Sequence, residues 1–453
     1  MNRLKEEKII KEISKTIADT CSIDTELFTK YNVKRGLRNE DHTGVVVGLT
    51  KIGDVVGYER KEDGTTAPIP GKLYYRGISL EDIVRGAQHE NRLGFEETAY
   101  LILSGNLPSK VELEEFSQLL SATMGLNSKI TMHILDLKGD DIMNILARGV
   151  LELYTFDDNP NDTSAHNLIK QSVNLVATFP TIIAYAYNAV RHNRGKSLHI
   201  RHPKPELALA ENFLYMMKGQ NYTPLEVQIL DLALMVHADH GGGNNSTFAV
   251  RVTSSTGTDT YSSISAGISS LKGHLHGGAN LRVVDMLRNI KKNVKDWTNV
   301  EELDKYLIKI LNKKAYNKTG LIYGIGHAIY TISDPRTVLL KEMARDLAIE
   351  KGRLAEYEFY TLIEERAIHN FMELKGKSVN KQVCANVDFY SGFIYDMIGL
   401  PIDIYTPLFA MARIVGWTAH RIEELNFKQK RIIRPAYKSA SDVKEYVSIE
   451  DRM

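Results

Sequence analysis

From Ser109 onward the chain is punctuated as helices, and this constrains the fold more than any other feature. Cap-plus-proline starts stand at Thr223-Pro224, Asp334-Pro335 and Thr406-Pro407. In each, a side-chain oxygen can take first-turn amides, and proline's missing N–H falls where no helical partner exists. Thr223 with Glu226, and Thr298 with Glu301, have capping-box spacing. Ser109 precedes a stripe of Leu113, Phe116, Leu119 and Leu120, while Gly105, Gly241 and Gly399 read as helix stops. Strand signals are few and early, at Gly44 to Leu49, Asp54 to Tyr58 and Lys72 to Tyr75. The expectation is an all-α protein with a few short N-terminal strands and about fifteen to twenty helices of ~11–12 residues.

The N-terminus has no apolar signal core, and Glu6, Glu7 and Glu12 are foreign to transit peptides. Leu4, Ile9, Ile10, Ile13 and Ile17 predict an amphipathic helix packing on the body. The uncharged run from Gln171 to Val190 is long enough to span a bilayer. It carries Gln171, Asn174, Asn188 and a central Pro180, so a buried helix, or two helices broken at the proline, is expected. A soluble cytoplasmic protein that binds no membrane follows. Lys plus Arg number 57 and Asp plus Glu 56, a net charge of +1, which excludes a whole-chain basic footprint for nucleic acid. Cys21 and Cys384 are too few for a disulfide framework. No linker marks a domain boundary. The basic stretch Arg191 to Lys204 reads as a solvated loop, with a phosphate-bearing ligand as the alternative.

Fourteen histidines are the unusual count, and several fall in pairs. His237-Ala238-Asp239-His240 ends an apolar helix and is followed by three glycines, which suits a polar helix cap or a ligand site. His276 precedes Gly277-Gly278 and a helix start, where the dipole disfavours imidazolium and a neutral ring could donate to an oxyanion. The His237/His240/His274/His276 set leaves a metal open, although no cysteine or HExxH helix accompanies it. Tyr323-Gly324-Ile325-Gly326-His327 reads as a glycine turn or a close backbone approach to a ligand. Arg336 sits just past Asp334-Pro335, a poor place for a cation unless an anion binds there. Asp388, among aromatic residues, reads first as a helix N-cap and second as a base of raised pKa. Arg413 on an apolar helix needs an anionic partner, either a structural salt bridge or a bound carboxylate.

In their order, HADH with Asn-Ser-Thr-Phe, LHGGAN, GIGHAIY with DPR, VDFYSG, and FAMARIVGW with HR resemble the citrate synthase family. Gly71 to Gly77, Phe95 to Tyr100 and Ala210 to Leu214 resemble its earlier segments, so the likeness runs from about residue 40 to about 437. The resemblance implies an all-helical two-domain fold: a large domain of 1–279 and 395–453, and a small domain of 280–394. It implies an acyltransferase of the citrate (Si)-synthase type, with acetyl-CoA and oxaloacetate as substrates and no resident cofactor or metal. The chain would work as a homodimer or a multiple of dimers.

By the same resemblance, His276 holds the thioester oxygen, Asp388 removes the methyl proton and His327 polarises the ketone. His240, Arg336 and Arg413 would bind oxaloacetate, together with Arg434, which matches an arginine supplied across the interface. Leu321, Gly324 and Gly326 match the loop that receives CoA. His274, Ala328 and Thr331 depart from common family residues, and the absence of a base at Thr331 makes the basic loop Arg191 to Lys204, with Arg194 and Lys196 as its test positions, the expected substitute for the CoA phosphate contacts. The alternative activity is 2-methylcitrate synthase, which uses propionyl-CoA. One methylene in a pocket discriminates by only about 1–3 kcal/mol.

Overall fold

The computed structural model describes residues 3–39, 43–62, 65–376 and 382–452. These fall into two compact units, Met1–Leu49 with Ile433–Met453, and Thr50–Ile432.

The terminal unit holds α1 (Arg3–Thr20) and α2 (Glu26–Lys30). The amphipathic α1 forms as expected. Its apolar residues Leu4, Ile9, Ile10, Ile13 and Ile17 are exposed. The expected strand at Gly44 to Leu49 is absent. Among the described residues this stretch forms one isolated bridge, Arg38 to Gly44, flanked by the Val45 N–H donating to the Leu37 carbonyl at 2.9 Å.

The main unit opens with a small antiparallel sheet, β1 (Gly53–Arg60), β2 (Thr66–Tyr75) and β3 (Ile78–Ser79). Helices follow as α3 (Leu80–His89), α4 (Phe95–Ser104), α5 (Lys110–Thr123), α6 (Ser128–Asp136), α7 (Ile142–Leu153) and α8 (Ala165–Asn193). Next come α9 (Leu209–Lys218), α10 (Pro224–His237), α11 (Asn245–Ser254), α12 (Thr260–Lys272), α13 (Ala279–Asn293) and α14 (Val300–Leu311). The last are α15 (Pro335–Glu350), α16 (Leu354–Phe371), α17 (Asp388–Ile398) and α18 (Tyr405–Leu425). The all-α expectation holds.

Local chemistry explains most boundaries. Ser109 and Glu112 close a full capping box on α5. Thr223 and Asp334 cap α10 and α15 with proline at the first position. Gly105 and Gly399 end their helices at φ of +93° and +78°. Two caps differ from expectation. Asn299 caps α14 instead of Thr298, whose hydroxyl donates to Asp296. Thr406 lies inside α18, which starts at Tyr405, and its hydroxyl donates to the Gly277 carbonyl at 3.2 Å.

The run through Pro180 is one buried helix, α8, unbroken. It packs against α18, which is apolar on nearly every face and carries Arg413, Trp417, His420 and Arg421 into the interior. Among the described residues Arg421 hydrogen-bonds to no carboxylate, although Asp259 acts on it electrostatically. Its guanidinium donates to Thr260, Ser254 and Ser263 hydroxyls and the Thr258 carbonyl, tying α11 and α12 to α18.

Candidate active site

α10 delivers the HADH turn. The His237 Nδ1–H donates to the Ala233 carbonyl at 2.7 Å, which leaves Nε2 as an acceptor. Asp239 is fully buried, with Oδ2 accepting the Gly241 N–H at 2.8 Å and Oδ1 facing His420 Nε2 at 3.2 Å. Glycine is required where two elements cross this turn. A Cβ at Gly53 would lie 2.2 Å from Asp239 Oδ2, and one at Gly416 would lie 2.5 Å from Oδ1. The turn aims His240 at His327, with ring centroids 5.2 Å apart.

His327 is fixed by its own loop. Nδ1 accepts the backbone N–H groups of Ile329 at 3.1 Å and Tyr330 at 3.0 Å, so the neutral ring carries its proton on Nε2. The ring stacks on Tyr330 at 4.5 Å. The sheet presses on this loop: a Cβ at Gly57 would meet the Ile329 carbonyl at 2.6 Å, and Gly71 donates to the Ser333 carbonyl at 3.0 Å.

Leu321, Gly324 and Gly326 sit in a turn zipped to the segment before α17. Gly326 donates to the Cys384 carbonyl at 2.7 Å and Asn386 to the Gly324 carbonyl at 2.9 Å. Gly324 (φ +81°) has no room for a Cβ, which would stand 2.9 Å from Phe389. The same zipper places Asp388 at the start of α17. The N-cap reading of Asp388 fails, because Val387 occupies that position and Asp388 is the first helical residue.

The two arginines differ in state. Arg336 Nε and Nη2 fork onto Asp334 at 3.0 and 2.7 Å, and that carboxylate raises its pKa despite burial. Arg413 is 0% exposed, and its Nε donates to the His237 carbonyl at 2.7 Å. Among the described residues nothing accepts from Arg413 Nη1 or Nη2, and His240 Nε2 and His237 Nε2 are likewise buried without a partner. A buried guanidinium with two open amino ends is costly unless an anion completes it.

Arg413 also links the remaining groups electrostatically. Burial, then Arg413, pull His276 down to about 4, so its imidazole is neutral at physiological pH. Burial pushes Asp388 up to about 6, although Arg336 and Arg413 pull the other way. Burial, with Arg336, His327 and Arg413, holds His240 well below the usual histidine range. Neutral imidazoles, one carboxylate of raised pKa and two buried arginines therefore meet in one site.

The citrate synthase C-terminal domain model matches residues 41–436. The chain belongs to the citrate synthase family. Citrate synthase 2 of Bacillus subtilis is 34% identical over 407 residues, covering 89% of this chain and all of that one. Citrate synthase of Acidithiobacillus ferridurans is 36% identical, covering 84% of this chain and 93% of its own. A ternary complex of carboxymethyl coenzyme A and oxaloacetate with citrate synthase from Thermoplasma acidophilum superposes with a TM-score of 0.75 at 28% identity. That match covers 93% of this chain and 99% of that one.

The remaining residues singled out in the sequence lie as follows. Arg434 belongs to the terminal unit, where it is exposed. Arg194 is engaged by Asp403 at 3.1 Å and Asp140 at 3.6 Å, so its charge is already answered. His274 is exposed, and Thr331 is buried with its hydroxyl unpartnered among the described residues. Sequence reasoning missed Ser246, whose Oγ stands 3.2 Å from His276 Nε2 and accepts the Trp417 N–H at 3.2 Å. It also missed the Asp239–His420 pair. Both lie within the quoted motifs, but nothing in their spacing signals a contact.

Proposed function

We propose that the protein condenses acetyl-CoA with oxaloacetate and hydrolyses the resulting thioester to citrate and CoA. The observation that carries this reading is Arg413, fully buried with Nη1 and Nη2 open beside the unpartnered His240 Nε2. That arrangement suits a small carboxylate, and Arg336 supplies a second cation for a dicarboxylate.

The chemistry follows from the protonation states. Asp388, ionised above about pH 6, takes a proton from the thioester methyl group. The neutral His276 donates a hydrogen bond to the thioester oxygen as the enol forms. The enol carbon attacks the ketone carbon of oxaloacetate, whose oxygen is polarised by His327 Nε2–H and takes that proton as the new bond forms; the proton held by Asp388 returns through solvent to His327 before the next turnover. Water then cleaves the thioester and CoA leaves as the thiol. The turn of Leu321, Gly324 and Gly326 is the proposed CoA contact. Residues 280–394 would act as the closing small domain, and Arg434 would complete the site of a partner subunit in a dimer. No resident cofactor or metal takes part.

Propionyl-CoA in place of acetyl-CoA is the alternative, with the same residues in the same roles. The test is free-thiol release from acetyl-CoA and from propionyl-CoA, each with and without oxaloacetate. Oxaloacetate-dependent release that is faster with acetyl-CoA supports the proposal. Faster release with propionyl-CoA transfers it to the 2-methylcitrate reaction, and release that ignores oxaloacetate overturns it.

A further inference from the structure

The buried Asp239 and His420 take no part in the steps above, yet both are inside the site's wall. Asp239 is the carboxylate that acts most strongly on Arg413, opposing the burial that pulls this guanidinium down to about 10. Arg336, Tyr75 and Asp388 also face it. A carboxylate beside a buried guanidinium ordinarily forks onto it, as Asp334 does onto Arg336. Asp239 and Arg413 form no such bond: Arg413 Nη1 and Nη2 remain without an acceptor among the described residues.

The reason lies in how Asp239 is held. Oδ1 takes the His420 Nε2–H at 3.2 Å and Oδ2 takes the Gly241 N–H at 2.8 Å. The backbones at Gly416 and Gly53 close on the two oxygens so tightly that neither position has room for a Cβ. The side chain is clamped on both oxygens.

We infer that His420 is a positioning residue: by clamping Asp239 it keeps a counter-charge close to Arg413 while preventing an internal salt bridge, so that both amino ends of Arg413 stay open for the substrate carboxylate. The inference rests on the proposed oxaloacetate site. It gives the buried His420 a role in substrate affinity, not in proton transfer.

The test compares His420→Met, which removes the donor, with His420→Gln, whose amide can stand in for Nε2. In His420→Met, Asp239 is released to compete for Arg413. The KM for oxaloacetate should rise about tenfold, the worth of one charge-assisted hydrogen bond, with kcat and the KM for acetyl-CoA moving far less. His420→Gln should restore the oxaloacetate KM. Where His420→Met does not fold, His420→Asn replaces it, since its amide reaches only the Nδ1 position. A purely structural role predicts that both KM values and the melting temperature shift together and that Gln does not rescue; that result overturns the inference. Calorimetric titration with oxaloacetate separates the inference from its foundation. A wild-type protein that binds no oxaloacetate overturns the site reading, whereas wild-type binding with unchanged affinity in His420→Met overturns only the clamp.

Discussion

Ser246 Oγ stands 3.2 Å from His276 Nε2 and 2.8 Å from Asn244 Oδ1, with the Trp417 N–H donating to it at 3.2 Å. Trp417 is a donor only, so the single Ser246 proton can go to Asn244 or, after rotation of the hydroxyl, to His276. In the second state the imidazole keeps its own proton on Nδ1, free for a thioester oxygen. Ser246→Ala should therefore lower kcat by roughly 10–10²-fold, a part of what a lost oxyanion donor costs, with oxaloacetate affinity retained. Steady-state kinetics with both substrates saturating checks this; an unchanged kcat contradicts it.

The acid limb of activity belongs to Asp388. Its pKa is pushed up to about 6 by burial, while His276 lies near 4 and stays neutral throughout. As pH falls through about 6 the base is protonated and kcat/KM should drop about tenfold per pH unit below it. A limb near pH 4 would assign control to another group.

Gly416 tests how closely α18 must approach the HADH turn. A Cβ there would stand 2.5 Å from Asp239 Oδ1 and 2.7 Å from the Ala238 carbonyl. Gly416→Ala should destabilise the protein by about 1–3 kcal/mol through overpacking, and oxaloacetate affinity should fall with it. Urea unfolding beside calorimetric binding reads both effects.

Earlier on α10, Asp231 governs part of the pH dependence of stability. Its oxygens accept the Gly94 and Phe95 N–H groups at 2.7 and 3.2 Å, and burial with nearby Glu96 raises its pKa. The folded protein thus holds a proton that the unfolded chain releases near pH 4. This contribution is fully present below that pH and is lost as pH rises through the folded pKa. Asp231→Asn should flatten the fall in melting temperature between acidic and mildly alkaline pH, as followed by calorimetry.

Helix starts were legible where one side chain meets its own first turn, as at Ser109, Thr223 and Asp334. Thr406 misled because the pattern of a cap also fits a residue just inside the helix whose hydroxyl has a distant partner, the Gly277 carbonyl. The motifs were legible in family order, and Asp388 was legible as a base by resemblance but only secondly by its local pattern. Its local pattern favoured a cap, and only the fold shows the burial that raises its pKa. Ser246 with His276, and Asp239 with His420, are contacts across 30 and 181 residues of sequence. No local rule reports such pairs. For α1, periodicity predicts an apolar face and says nothing of what covers it.

Asp388→Asn puts the account to its most direct test. The amide nearly preserves shape but cannot take the methyl proton. Oxaloacetate-dependent thiol release from acetyl-CoA should fall by about 10²–10⁴-fold, the worth of a positioned base. Calorimetric titration should show oxaloacetate still bound, since Arg413, Arg336 and His240 are untouched. Turnover at the wild-type level in Asp388→Asn would contradict the assignment of the base, and with it the proposed condensation.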